Sequence, residues 1–563
     1  MDVWGSRRFR VRGAMALAGV TAVVMALTGC GFHTETSEPE ALVDRFTELL
    51  DEQEYRQAAD LTSYPNAASA TMSQMFEGLQ PGTVDYQKTQ FIGLDDESAI
   101  FSMDVDWNFG EYDSGQKKEW GYSLQGTVRK LAIGWRISWE PQLVMPELAG
   151  GRTVKLVRTL PSPAPRVIDI VGSSLMHEQV INLVKLDPAK MPDPVASTDA
   201  LAKAIEPVAP LITGASLRDE LAASKGEPIL AVRLREGDFA ILEPRMAPIP
   251  GVVLEKSPEL ISSDRRVWSP MLDAMRNVWT ESQDRHAGWG VQIFEPDGRF
   301  VRQVAGHQGP PGPDITSTMD QRLQRAAEDA VVSVGTPASI VAIQPSNGAV
   351  VAVAQNSYAT EQGPVAFTGL YPVGGNVELL REVAALEKNK PPRDVTVQDA
   401  AEAAGRLGLG VDFQVPGLDE VTARITVGGR GAEQARQGGG SDVVLASPFG
   451  MAIAAAAIAR GEVPAPSVET GRPGTTDAQL SPLGNPIVDR LRTVLREEMG
   501  KPHLTPLRSF PVIAYAAEAD SDGWLIANMG DLAFAIHIAD IDSSNATARM
   551  AARMLQSLAQ PET

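Results

Sequence analysis

Residues 318–354 constrain the fold more tightly than any other stretch of the chain. Thr318-Met319-Asp320-Gln321-Arg322-Leu323-Gln324-Arg325-Ala326-Ala327-Glu328-Asp329-Ala330 sets apolar residues at helical spacing and predicts an amphipathic helix. Two runs of strand-forming residues follow, Ala338-Ser339-Ile340-Val341-Ala342-Ile343 and Ala349-Val350-Val351-Ala352-Val353-Ala354, separated by Pro345-Ser346-Asn347-Gly348. Asn-Gly readily takes the positive φ angles of a hairpin turn. The stretch therefore predicts a helix packed before a β-hairpin, and from Asp314 to about Leu558 helix and strand continue to alternate.

At 563 residues, 43% of them hydrophobic, the chain can bury several cores. A scale of about 150 residues per domain predicts three or four. The 50 basic and 71 acidic residues give a formal charge of -21, and no basic run of five or more occurs. Nucleic acid is excluded as a partner, because binding it needs clustered Lys and Arg to neutralise phosphates.

The single cysteine, Cys30, closes a distinctive beginning. Arg7, Arg8, Arg10 and Arg12 precede an apolar run from Gly13 to Leu27, then Leu27-Thr28-Gly29-Cys30. A basic start, a short apolar run and small residues make a secretory signal over residues 1–30, and the run falls short of the roughly 20 apolar residues a membrane span needs. The Leu-Thr-Gly-Cys ending resembles the bacterial lipobox, which implies lipid attachment at Cys30, although an ordinary cleaved signal with an incidental Cys stays open. Ser6-Arg7-Arg8-Phe9 also resembles a twin-arginine export signal, so the export route is undecided. Beyond Cys30 there is no thiol for a disulfide, and the six histidines show no metal-ligand spacing. No metal or cofactor is expected.

Residues 36–148 read as a small α+β domain. Ala41-Leu42-Val43-Asp44-Arg45-Phe46-Thr47-Glu48-Leu49-Leu50 has helical spacing and Tyr55-Arg56-Gln57-Ala58-Ala59 begins a second helix, while Ala99 to Trp107 and Gly134 to Trp139 alternate like strands. Two helices and a curved antiparallel sheet, with the phrase Gly134-Trp135-Arg136-Ile137-Ser138-Trp139-Glu140-Pro141, resemble the NTF2-like cone at the front of penicillin-binding lipoproteins. Such a cup can hold a small ligand or act as a spacer.

Residues 149–313 open on the stiff linker Pro161-Ser162-Pro163-Ala164-Pro165. Arg166-Val167-Ile168-Asp169-Ile170 resembles the opening strand of the dimerisation or pedestal domain of class B penicillin-binding proteins, read here without that strand's glycine and without the usual Asp-x-x-Gly turn. Leu230 to Arg235 and Ile249 to Leu254 are similar to its later segments. The resemblance implies an extended, mainly-β domain.

Residues 314–560 are similar to the penicillin-binding transpeptidase domain, an α/β fold of the serine β-lactamase type. The family begins with Thr-x-Asp-x-x-Leu-Gln, then a strand, a Ser/Thr-Gly turn and a second strand, as Thr318 to Ala354 do in order and spacing. The resemblance covers nearly the whole mature chain and implies a multidomain α+β protein of actinobacterial penicillin-binding lipoprotein type.

That family needs a Ser nucleophile with a Lys one helical turn later, a Ser-x-Asn, and a Lys-Thr-Gly strand. Its Ser-x-x-Lys follows a Leu-Tyr-Pro-Pro-Gly turn, which Leu370-Tyr371-Pro372-Val373-Gly374 matches without gaps. The nucleophile position then holds Gly375 and the lysine position Glu378. Between Glu378 and Gly408 the insert carrying Ser-x-Asn is shortened, and no Ser occurs from Ala359 to Gly440. Ile513-Ala514-Tyr515 stand where Lys-Thr-Gly belongs, so a Tyr ring is expected to narrow the groove. Losing a nucleophile costs on the order of a million-fold in turnover. By contrast, Gly438-Gly439-Gly440 and Ala446-Ser447-Pro448-Phe449-Gly450-Met451-Ala452 keep a scaffold motif, with Ser447 an N-cap and Pro448 the first helical residue.

Three weaker patterns stand outside this scheme. Ser114-Gly115-Gln116-Lys117 has the Ser-x-x-Lys form but reads as a solvated turn, Ser543-Ser544-Asn545 as a cap for a last helix from Ala546 to Leu558, and Gly428-Gly429-Arg430-Gly431 lacks the Lys-Ser/Thr of a phosphate loop. The chain is read as a catalytically inactive transpeptidase-like lipoprotein on the extracytoplasmic face of the plasma membrane, a scaffold or regulator of peptidoglycan synthesis. Its expected partners are peptidoglycan-synthesis or division proteins, the membrane through its anchor, and peptidoglycan stem peptides. Two alternatives stay open: an active D,D-transpeptidase with non-standard motifs that binds penicillin, and a muropeptide-binding lipoprotein.

Overall fold

The computed structural model describes residues 37–111, 117–426 and 444–560. Cys30 and the leader, Ser114 to Gln116, and the glycine-rich 428–431 and 438–440 lie outside the described residues. The chain divides into two compact units, one of the described residues up to Leu156 with Val291–Ala305, the other of Val157–Gly290 with the described residues from Gly306 onward. The stretch 149–313, expected as one domain, is thus divided between them.

In the first unit three helices precede the sheet, where two were expected: Glu38–Asp51, Tyr55–Asp60 and Pro65–Leu79. The strands Thr83–Gly93, Ser98–Glu111, Lys117–Leu131 and Gly134–Ile137 pair antiparallel in chain order. Alternation along the second strand buries Ala99, Phe101, Met103, Val105 and Trp107, and the helices contribute Val43, Phe46, Met72, Met75 and Phe76 to the interior. Trp107 meets Phe76 at a centroid distance of 5.6 Å and donates from Nε1 to Tyr122 Oη at 3.1 Å. Packed aromatic rings therefore fill the space between helix Pro65–Leu79 and the sheet.

In the second unit, Ser174–Leu186 is the long central strand of a five-stranded sheet that also takes in Val167–Ile168, Ile229–Arg235, Val252–Ser262 and Ile315–Thr316. Beside these strands stand four helices, Pro194–Ile205, Gly214–Ala223, Glu236–Met246 and Pro270–Arg285, so this stretch is mixed rather than mainly β. Asp193, Thr213 and Ser269 cap three of them, each side chain accepting from backbone N–H groups of the first turn. The opening strand also carries the turn denied it above. Asp169-Ile170-Val171-Gly172 is an Asp-x-x-Gly turn: Gly172 has φ +87° and donates to Asp169 O at 3.0 Å, while the buried Asp169 carboxylate accepts from Val171 N and Ser173 N. The other Asp169 oxygen accepts from Gln321 Nε2 at 2.8 Å, fixing the turn to the start of a helix 152 residues later.

A second five-stranded antiparallel sheet has the order Ala349–Gln355, Ala338–Gln344, Leu532–Ile538, Asp522–Met529, Ile513–Ala519. Alternate residues face opposite cores. Ile340, Leu525 and Phe534 pack with helices Gln321–Val331 and Ala546–Ala559, whereas Val341, Trp524 and Ala535 pack with helix Pro448–Arg460. Both faces are thus covered, which is why the hairpin strands are apolar at nearly every position. The predicted hairpin turn forms, with Gly348 at φ +78°. Its helix begins later than the sequence pattern suggests: Asp320 is the N-cap, accepting from Arg322 N and Leu323 N, because the Thr318 hydroxyl is used to reach Val350 O at 2.7 Å.

Candidate active site

The turn from Leu370 is held from both ends. Tyr371–Pro372 is a short strand paired with Val444–Ala446, and Gly374–Asn376 forms one 3-10 turn that runs directly into helix Val377–Glu387. Strand Ile513–Ala519 passes against this turn so closely that Gly374 has no room for a side chain. Its φ is +53°, and a Cβ there would stand 2.3 Å from Glu518 O and 2.6 Å from Ala519 Cβ. At Gly375 a Cβ would meet only Ala517 Cβ at 3.2 Å as a close contact. The first-motif and third-motif positions named from sequence are therefore neighbours in space.

Tyr515 closes the space between them. Its hydroxyl donates to the Gly375 carbonyl at 3.3 Å, and the ring packs against the core beneath. Burial, then the carboxylates of Glu498 and Glu378, push its phenol up to about 12. At neutral pH it is a proton-bearing donor and a poor nucleophile. Ile513, two residues away on the strand, faces the same side, whereas Ala514 points into the opposite core and is fully buried.

Glu378 is exposed and turns to Arg381 on its own helix, forming an ion pair one turn on. Where the second motif was expected, short helical pieces at Pro392–Asp394, Val397–Ala403 and Ala404–Leu407 follow the Val377–Glu387 helix. They are tied down by their own charges: Lys388 Nζ lies 2.8 Å from Glu402 and also contacts Asp399, and Arg406 Nε is 2.6 Å from Glu387. Under the turn, the space bounded by Val373, Asn376, Leu379 and Leu380 is only about 10 Å³, enough for no more than a water.

Sequence reasoning missed the support under the turn. Tyr371 stacks on His537 at 3.8 Å, Trp524 Nε1 donates to Pro372 O at 2.8 Å, and His537 Nε2 lies 3.1 Å from Asp522 Oδ2. Burial lowers the pKa of His537 despite the opposing pull of Asp522, so the ring is neutral at pH 7 and serves as a packed platform. The expected cap is in place: Ser447 Oγ accepts from Gly450 N at 2.9 Å and Pro448 opens helix Pro448–Arg460. Of the weaker patterns, Lys117 begins a strand and lies 3.6 Å from Glu119, and Asn545 precedes helix Ala546–Ala559 without a side-chain cap bond.

Residues 38–152 match the family described as the NTF2-like N-terminal transpeptidase domain. The three helices and four-stranded sheet of the first unit are the body of that domain. It is consistent with a penicillin-binding-protein-like N-terminus. No curated protein matches the chain. Among the described residues there is no group of three or more His, Cys, Asp or Glu that could hold a metal ion, and no helix is long and apolar enough to cross a membrane.

Proposed function

We propose that the protein is a pseudo-transpeptidase of the cell wall: a penicillin-binding-protein-like lipoprotein whose C-terminal domain keeps the architecture of a D,D-transpeptidase and has lost its reaction. It acts as a scaffold or regulator of peptidoglycan enzymes outside the plasma membrane, anchored through Cys30. The NTF2-like N-terminal transpeptidase domain at residues 38–152 supports the family. The observation that carries the loss of chemistry is the hydrogen bond from Tyr515 to Gly375 O, across the place where substrate would have to lie.

An acyl transfer needs a nucleophile, a base within hydrogen-bond reach and room for the acyl group. Here the first is a glycine, the second an exposed carboxylate paired to Arg381, and the third is occupied by a tyrosine ring. Restoring Ser and Lys alone leaves the ring in place. Purified protein is expected to take no label from a fluorescent penicillin, and Gly375→Ser with Glu378→Lys is expected to stay unlabelled. Stoichiometric acylation of the unmodified chain, located by mass spectrometry, would overturn the reading.

A further inference from the structure

Away from the Gly375 turn, and sharing no residue with it, the second unit has a groove of about 690 Å³ with three arginines in its lining, Arg233, Arg235 and Arg276. Two come from strand Ile229–Arg235, where positions two apart project on one face of the sheet, opposite Leu183 and Ile181 of the central strand. The third comes from helix Pro270–Arg285, which walls the groove. Asp273, Arg276 and Thr280 lie at i, i+3 and i+7 on its groove side. Arg276 Nε donates to Leu260 O at 3.3 Å, which fixes the helix against strand Val252–Ser262.

The three arginines are not equivalent. Arg233 Nε lies 3.4 Å from Glu259 and Arg276 is paired with Asp273. Arg235 is half-buried, and among the described residues its side chain makes one hydrogen bond, from Nη2 to the backbone carbonyl of Ser262 at 2.9 Å. Among the described residues no carboxylate forms an ion pair with it; the nearby Asp238 is engaged by Arg265 at 3.0 Å. A guanidinium carries five donors in a planar fork, so most of Arg235's donors are left to solvent in a partly enclosed cleft. Two of the three arginines answer carboxylates of the same lining, Glu259 and Asp273, so Arg235 is the one whose charge is left over.

We infer that this groove is a binding site for an oxyanion, a carboxylate or phosphate group of a ligand, received by Arg235 with Arg233 and Arg276 flanking it. Bidentate, charge-assisted hydrogen bonds to a planar or tetrahedral oxyanion satisfy the free side of the guanidinium. Trp279 in the same lining gives the carrier of that group an apolar surface to lie on. The inference does not depend on the chain being a pseudo-transpeptidase, since none of these residues belongs to the transpeptidase-like motifs.

The test uses the full chain with inorganic pyrophosphate and tricarballylate as probes, against sodium chloride at matched ionic strength. Calorimetric titration is expected to show saturable binding of at least one probe, and the tighter one tells phosphate from carboxylate. Arg235→Gln is expected to weaken that binding by about tenfold or more. Because Arg235→Gln could disturb folding, phenylglyoxal modification of the unaltered chain is read in parallel. The bound probe should slow modification of Arg235 and leave an exposed arginine outside the groove, Arg393, unaffected. No saturation beyond the chloride control, undiminished binding in a folded Arg235→Gln, or absent protection of Arg235 would each overturn the site.

Discussion

The Tyr515 hydroxyl stands 3.3 Å from the Gly375 carbonyl oxygen, joining two segments 140 residues apart. Strand Ile513–Ala519 thereby braces the turn from within. Glu378, in the first turn of the helix that follows Gly375, adds a negative charge that helps keep the phenol protonated. Gly375, Glu378 and Tyr515 thus form one mutually consistent arrangement.

That brace can be measured. Tyr515→Phe keeps the ring and removes the donor, so it is expected to lower stability by about 0.5–1 kcal/mol, the low end for a neutral hydrogen bond at this length. Tyr515→Gly also removes the ring from the core and should cost about 3 kcal/mol or more. Urea denaturation of the two variants tests this, and an unchanged Tyr515→Phe would show that the hydroxyl contributes nothing.

The two glycines of the turn should respond very differently to alanine. Gly374→Ala forces a Cβ to within 2.3 Å of Glu518 O at φ +53°, so either the turn or the strand must move. A loss of roughly 2–4 kcal/mol is expected. Gly375→Ala meets only Ala517 Cβ at 3.2 Å, a contact relieved by a few tenths of an ångström, and should cost less than about 1 kcal/mol. Equal effects at both positions would mean that strand Ile513–Ala519 does not hold the turn as described.

Much of this arrangement was legible in the sequence, for reasons that differ by residue. The hairpin at 338–354 and the cap at Ser447 are local signals, written by turn chemistry and β-branching over a few residues. The glycine at 375 and tyrosine at 515 could be singled out because their flanks resemble a familiar order. The hydrogen bond between them could not, since it depends on how two distant segments pack. Helix Pro65–Leu79 was missed although Ala68, Met72, Met75, Phe76 and Leu79 share one buried face, because small and polar residues dilute that stripe. The Asp-x-x-Gly turn at Asp169 was a plain misreading of four adjacent letters, and the structure restores it through Gly172. The stacking of Tyr371 on His537 had no local signature, because each lies in a different element.

The proposed anchor makes a separate prediction. Cells expressing the chain and fed a radiolabelled fatty acid should incorporate label into it, and Cys30→Ala should abolish incorporation and release the protein from the membrane fraction. Cys30 is the single cysteine of the sequence, so a thiol-linked lipid has no other attachment point. Retention of Cys30→Ala in the membrane fraction would remove the anchor from the proposal.

A buried carboxyl makes the last prediction. Glu328 sits in helix Gln321–Val331, where Oε1 accepts from Trp268 N at 3.0 Å and from Gln324 Nε2 at 2.8 Å. Burial raises its pKa from the ordinary 4.5 to about 7, with the nearby Asp329 and Asp264 adding to the shift and the two hydrogen bonds opposing it. Between those two pH values the folded chain holds a proton that the unfolded chain has lost. Stability therefore falls as pH rises from about 4.5 through 7 and levels off above, the reverse of a salt-bridged carboxylate. Glu328→Gln keeps an acceptor for Trp268 N and removes the titration. Near pH 5 the variant should match the parent, and at pH 8 it should be more stable by roughly 1–2 kcal/mol, a figure reduced for partial solvation. Urea midpoints of both proteins at the two pH values decide the matter: a difference that does not change with pH would mean that Glu328 is not the titrating group.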